Sequence, residues 1–152
     1  MWTEITFGKH SGKTLPQLLL TDPDYFFWAM EEGGVFKGSL ATQAASLLSK
    51  ARRVKIPKAN PDDWSVEYVC APDGKFARFE IVEEDRPRHV GSSLTARSAT
   101  LDFSFVRGTN RYDKSGYKLF VRNFKYYYFG SSDKRLTKKI CEEFFDSSSN
   151  FT

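Results

Sequence analysis

A chain of 152 residues, 40% hydrophobic and 28% charged with net charge +4, is sized for one domain or two very small ones and is too apolar to remain disordered. Two distant cysteines, Cys70 and Cys141, exclude a disulfide scaffold and a C-x-x-C metal site, and are expected as reduced, buried thiols. No stretch approaches the about 18 apolar residues of a membrane span, and the opening MWTEITFGKH lacks a basic region followed by an apolar run, so a cytoplasmic protein is expected.

The first 35 residues read as a short strand, a glycine loop and helices. The loop FGKHSGKTL, Phe7 to Leu15, ends like a phosphate-binding loop. Only Lys9, His10 and Ser11 separate Gly8 from Gly12, however, where that motif needs four residues. The preceding TEIT is a poor buried strand, and Pro16 follows closely. Nucleotide hydrolysis is therefore not expected here. What remains is a glycine-bounded turn that displays Lys9, His10 and Lys13, three donors able to contact phosphates. As a purely structural turn it would instead send Phe7 and Leu15 into the core.

Pro16 suits the first turn of a helix over LPQLLL. In DPDYFFWAMEEGG, Asp22 is the expected N-cap, Pro23 opens the helix and Gly33-Gly34 stops it. Phe26, Ala29 and Met30 share its core face, flanked by Tyr25 and Trp28. Leu40, Ala44, Leu47, Leu48 and Ala51 predict a third helix over residues 40–53. Its carboxyl end carries Lys50, Arg52, Arg53, Lys55 and Lys58, more cations than the helix dipole requires. IPKANPDD then reads as a seam, dividing the chain into units 1–58 and 62–152.

Beyond the seam the periodicity becomes two. WSVEYVCA and FARFEIVE flank PDGK, a strong hairpin signal. LTARSATLDFSFV predicts a third strand with Leu101, Phe103 and Phe105 on one face. An antiparallel sheet with one wet face follows. Glu83, Glu84, Asp85 and His89 lie in the polar run between strands and read as solvated surface rather than a catalytic cluster.

GYKLFVRNFKYYYFG sorts cleanly only as a helix. Tyr117, Phe120, Val121, Phe124, Tyr127 and Tyr128 then fall together, and Lys118, Arg122 and Lys125 form a separate stripe. Ser115 and Gly130 are the expected caps. A last helix is expected from Ser132 or Asp133, with Leu136, Ile140 and Phe144 aligned. Lys134, Arg135, Lys138 and Lys139 would fill its first two turns, where the dipole opposes them. The tail SSSNFT is expected to be loose.

Charge is segregated. Residues 41–60 carry five basic and no acidic side chains, residues 61–106 five basic and nine acidic, and residues 107–152 ten basic and five acidic. Two basic segments around an acidic one form the footprint of a phosphate-backbone binder. Tyr126, Tyr127 and Tyr128 beside the second group could stack on bases.

Phe7-Gly8-Lys9-His10, Gly12-Lys13, Leu15, Asp22-Pro23, Tyr25 and Trp28 resemble the small module at the carboxyl end of exodeoxyribonuclease X-like DnaQ-type nucleases, over residues 5–34. The resemblance implies an accessory module that touches nucleic acid, without the nuclease domain or its metal ligands.

The sequence therefore predicts an α+β fold with an N-terminal helical module, a three-stranded antiparallel sheet and two C-terminal helices. The expected function is that of a small non-enzymatic nucleic-acid-binding protein of bacterial or phage type, DNA being the favoured ligand over RNA. The contacts expected are Lys9, His10, Lys13, Arg52, Arg53, Lys55, Lys118, Arg122, Lys125, Lys134, Arg135 and Lys138. The alternative is a protein-binding adaptor or inhibitor without nucleic-acid contact. No catalytic residue, cofactor or metal ligand is expected.

Overall fold

Asp22 ends one helix and begins the next in the computed structural model, which describes residues 1–152. Its backbone N–H donates to the Leu18 carbonyl at 2.7 Å, closing α1 (Leu15–Thr21). Its carboxylate accepts from the Tyr25 N–H at 3.1 Å, capping α2 (Pro23–Glu32). Pro23 costs this helix nothing, because the first-turn N–H has no partner in any case. Gly33 stops α2 at a φ of +74°, a conformation that L side chains rarely adopt. On α3 (Ser39–Ala51), Leu40, Ala44, Leu47 and Ala51 of the predicted stripe are buried and Leu48 is half-buried.

The hairpin of β1 (Trp64–Cys70) and β2 (Phe76–Glu83) forms around the Asp-Gly turn, and β3 (Leu94–Ser98) adds on the far side of β1. The sheet is antiparallel with order β2-β1-β3. With three helices before it and α4 (Phe105–Thr109), α5 (Gly116–Phe129) and α6 (Lys138–Asp146) after it, the fold is α+β. No helix is long and apolar enough to cross a membrane.

Four expectations are corrected. The wet face of the sheet is closed at β1, where Glu67 is only 3% exposed. Arg97, opposite it on β3, donates Nε to the Glu67 carboxylate at 2.8 Å and Nη2 to the Arg86 carbonyl at 2.7 Å. One guanidinium thus neutralises the carboxylate and ties the loop after β2 over that face. The third strand ends at Ser98, before Leu101. The Tyr68 hydroxyl accepts from the Asp102 N–H at 2.9 Å and lies 3.0 Å from the Ser98 hydroxyl, bending the chain away from the sheet. Leu101 pairs instead with Val54, and Phe105 lands on α4, stacked on Tyr68 at 4.2 Å.

The last helix begins at Lys138 rather than near Ser132, because Thr137 caps it by accepting from the Ile140 N–H at 3.3 Å. Lys134 and Arg135 therefore precede the helix, while Lys138 and Lys139 sit in its first turn, where the dipole opposes them. The tail is also pinned. Phe151 is buried, its ring 5.5 Å from Phe145 in a stacked pair, and the Lys55 N–H donates to the Asn150 carbonyl at 2.8 Å. A terminal phenylalanine among other rings recovers enough burial to offset the entropy of ordering a short tail.

A continuous core of 31 residues draws on both segments, 1–58 and 62–152. Rings dominate its C-terminal half. Phe124 meets Phe103, Tyr128 and Phe144 at 4.9, 4.8 and 5.4 Å. The inner face of α5 also seals a sheet edge, where the Asn123 side-chain oxygen accepts from the outward Phe79 N–H at 2.9 Å. Replacing Phe151 by alanine is expected to lower the unfolding free energy by about 3–5 kcal/mol, read from urea denaturation. A loss below about 1 kcal/mol would restore the reading of a loose tail.

Candidate nucleic-acid interface

The glycine loop is closed at its base by hydrogen bonds from the Ile5 N–H to Lys13 O and from the Gly12 N–H to Ile5 O, both at 2.8 Å. Gly8 and Gly12 take φ of +69° and +92°, so the tight turn depends on residues without a Cβ. Leu15 is buried, whereas Phe7 stays exposed.

His10, expected at the surface as a phosphate contact, lies inside with 6% exposure. Lys13 Nζ donates to its Nδ1 at 3.0 Å, and its Nε2 faces Asp22 Oδ2 at 3.2 Å. These partners assign the neutral tautomer protonated on Nε2. Its ring also packs edge-on against Tyr25 at 4.7 Å. Burial first, then the Lys13 ammonium, lowers the imidazole pKa below its ordinary 6.5. Asp22 opposes that shift and Lys9 adds to it. His10 is thus a neutral strut between the loop and the cap of α2. Lys9 remains at the surface, with its ammonium 3.7 Å from Asp22 and 5.5 Å from the centre of the Tyr25 ring.

A cleft of about 540 Å³ opens beside this loop. One wall holds Lys9, Asp22, Asp24, Tyr25 and Trp28, and the other holds Arg107, Asn110, Lys114 and Tyr117. Asp24 binds the walls together, accepting from Arg107 Nη1 at 3.1 Å and Asn110 Nδ2 at 3.0 Å. Arg107 also donates Nε to Glu31 at 2.9 Å. The cleft's carboxylates, Asp22 and Asp24, thus both have internal donors, while Lys114 makes no ion pair.

The predicted stripe of α5 exists. Lys118 and Arg122 are exposed, Lys125 is half-buried, and none of the three is in an ion pair. Lys114 stands just before the N-cap of α5 and lines the cleft. Of the three tyrosines, Tyr126 is exposed. Tyr127 stacks on Phe79 at 5.7 Å, and the Tyr128 hydroxyl donates to Lys55 O at 3.0 Å.

The cations of residues 50–58 serve the fold in several ways. Lys50 donates to Phe145 O at 3.1 Å, Arg53 binds the Thr152 carbonyl, and Lys58 lies 4.2 Å over the Trp64 ring. Arg52 is exposed beside a separate cleft, and the Lys55 side chain makes no ion pair. Lys138 pairs with Glu4 at 3.6 Å and Lys139 with Glu143 at 3.9 Å, while Lys134 and Arg135 stay exposed and unpaired. Asp62, Asp63, Glu83, Glu84 and Asp85 gather with Trp64 around another cleft, which His89 does not line.

Arg107, Asn110 and Tyr117 were not legible as site residues, because Arg107 and Asn110 reach Asp24 across 83 and 86 residues. Lys114 was passed over as well, since it lies ahead of the α5 cap and outside the register of the stripe. No family model, curated protein or solved structure matches this chain.

The His10 arrangement sets a pH dependence. Its pKa is lowered on folding, so the unfolded chain binds the proton more readily. The stability it contributes is complete above about pH 6.5 and is lost as pH falls through the folded value. Urea denaturation at pH 7.5 and pH 5.5 should show lower stability at the acid value. His10→Gln should be less stable at pH 7.5 but lose much of that difference, and an unchanged slope would remove His10 as its source.

Proposed function

We propose that this protein is a small non-enzymatic nucleic-acid-binding protein that grips the phosphate backbone without reading sequence. The observation that carries this reading is the outer face of α5, where Lys118, Arg122 and Lys125 stand without acidic partners. Ammonium and guanidinium groups held at helical spacing, with no internal anion to neutralise them, leave a field for an external polyanion. Lys114 extends that field to the cleft, where Lys9 is paired with Asp22 at 3.7 Å, and Lys134 and Arg135 add charge before α6. Five of the nine acidic side chains of residues 61–106, Asp62, Asp63, Glu83, Glu84 and Asp85, gather around a separate cleft.

The resemblance of residues 5–34 to the exodeoxyribonuclease X-like module points the same way. On this reading the protein is an accessory factor of bacterial or phage type, working in the cytoplasm, with DNA as the favoured ligand over RNA. A protein-binding adaptor is the second reading, because Leu119 and Tyr126 are 42% and 59% exposed on the same helix.

Binding to short DNA at about 50 mM salt should weaken steeply as salt rises, with a log–log slope near −0.9 per phosphate contact on duplex. The triple variant Lys118→Glu, Arg122→Glu, Lys125→Glu should lose at least about tenfold in affinity and flatten the slope by about two to three. Salt-independent binding, or none at low salt, excludes the reading. Capture of a host protein that survives nuclease treatment would then favour the adaptor.

A further inference from the structure

We infer that the cleft between α2 and the α4–α5 segment is a base-stacking pocket, and that the ligand class is single-stranded nucleic acid. The inference rests on the proposed function and deepens it. Three aromatic rings line the cleft: Tyr25, Trp28 and Tyr117. Trp28 is 37% exposed, and its ring lies 5.4 Å from that of Tyr25 at a 49° tilt. Tyr25 is backed by the His10 ring at 4.7 Å. The two side chains therefore form a supported wall rather than loose surface groups.

Cations stand at the mouth. Lys9 borders the aromatic wall beside Asp22 at 3.7 Å, and Lys114 borders the opposite wall without an ion pair. The carboxylates that could repel a phosphate are engaged. Asp24 is held by Arg107 and Asn110, and Asp22 by His10, the Tyr25 N–H and the Lys9 ammonium. The volume, about 540 Å³, falls within the about 300–1,000 Å³ of ordinary ligand sites.

Aromatic walls with a cationic rim match a flat ring attached to an anion. A base in a duplex has both faces covered by its neighbours, so a recessed ring can reach only a base that has left the stack. Beyond Lys114, Lys118 and Arg122 lead away along α5, about 6 Å apart in helical rise, giving the flanking phosphates a path. Base-paired DNA would meet the stripe alone.

The test compares a thymidine 12-mer with a duplex of equal length. Trp28→Ala should lose about 5- to 150-fold in affinity for the single strand, the range of one lost base stack, while duplex affinity changes less than about twofold. Trp28→Phe should retain most of the binding. With Trp2 and Trp64 replaced by Phe, the remaining Trp28 emission should be quenched by the 12-mer and not by the duplex. Should the alanine variant fail to fold, the phenylalanine variant and the quenching decide. Unquenched Trp28 emission, or equal losses for both ligands, overturns the pocket and leaves the phosphate-binding face standing. Failure of the unaltered protein to bind either ligand overturns both.

Discussion

The carboxylate of Asp22 is the point on which the site depends. Its backbone closes α1, one oxygen caps α2, and the other receives the His10 imidazole. An exposed N-cap contributes about 1 kcal/mol. Here the same group also fixes the angle between two helices and holds the glycine loop against them. The neutral His10 passes that constraint on to Lys13, whose ammonium it accepts. Loop, helix start and aromatic wall are therefore tied together by one chain of contacts. Asp24 extends the unit to the other half of the chain through Arg107 and Asn110. The cleft has two walls from distant segments because two neighbouring aspartates each hold one of them.

The aromatic content divides between packing and surface. Phe103, Phe120, Phe124, Phe144, Phe145 and Phe151 interlock in the core. Edge-to-face contacts prevail there, the geometry that ring quadrupoles favour. Trp28, Tyr126 and Phe7 remain outside. Composition could not tell these roles apart, since the same ring that fills a core can stack on a base.

Local chemistry made much of the fold legible. Asp22-Pro23 marked a helix start, Asp-Gly marked the hairpin, and the sorting of α5 into an aromatic face and a cationic stripe outweighed its strand-like composition. What escaped was non-local. The Tyr68 hydroxyl bends the chain after Ser98, and nothing in LTARSATLDFSFV reveals a hydrogen-bond acceptor 34 residues away. Arg97 reads as an outward residue on an alternating strand, yet its partner Glu67 is buried beneath the loop that Arg97 ties down. The pinned tail likewise depends on rings brought in by α6. Of the site, the stripe and Lys9 were readable. His10 was misplaced, because a histidine between two lysines looks exposed until the aspartate twelve residues on is known to face it.

The bond from Phe79 to Asn123 closes one side of the sheet with an amide side chain in place of a strand. An open strand edge is a template on which a second chain can grow, and β2 is denied that role at this point. Any strand-to-strand joining of two molecules is left to β3, which is only five residues long. The same bond fixes the axial register of α5 against the sheet. The charges on its outer surface therefore share a set azimuth, and the polyanion proposed above would meet them as one ruled row rather than as independent tethers.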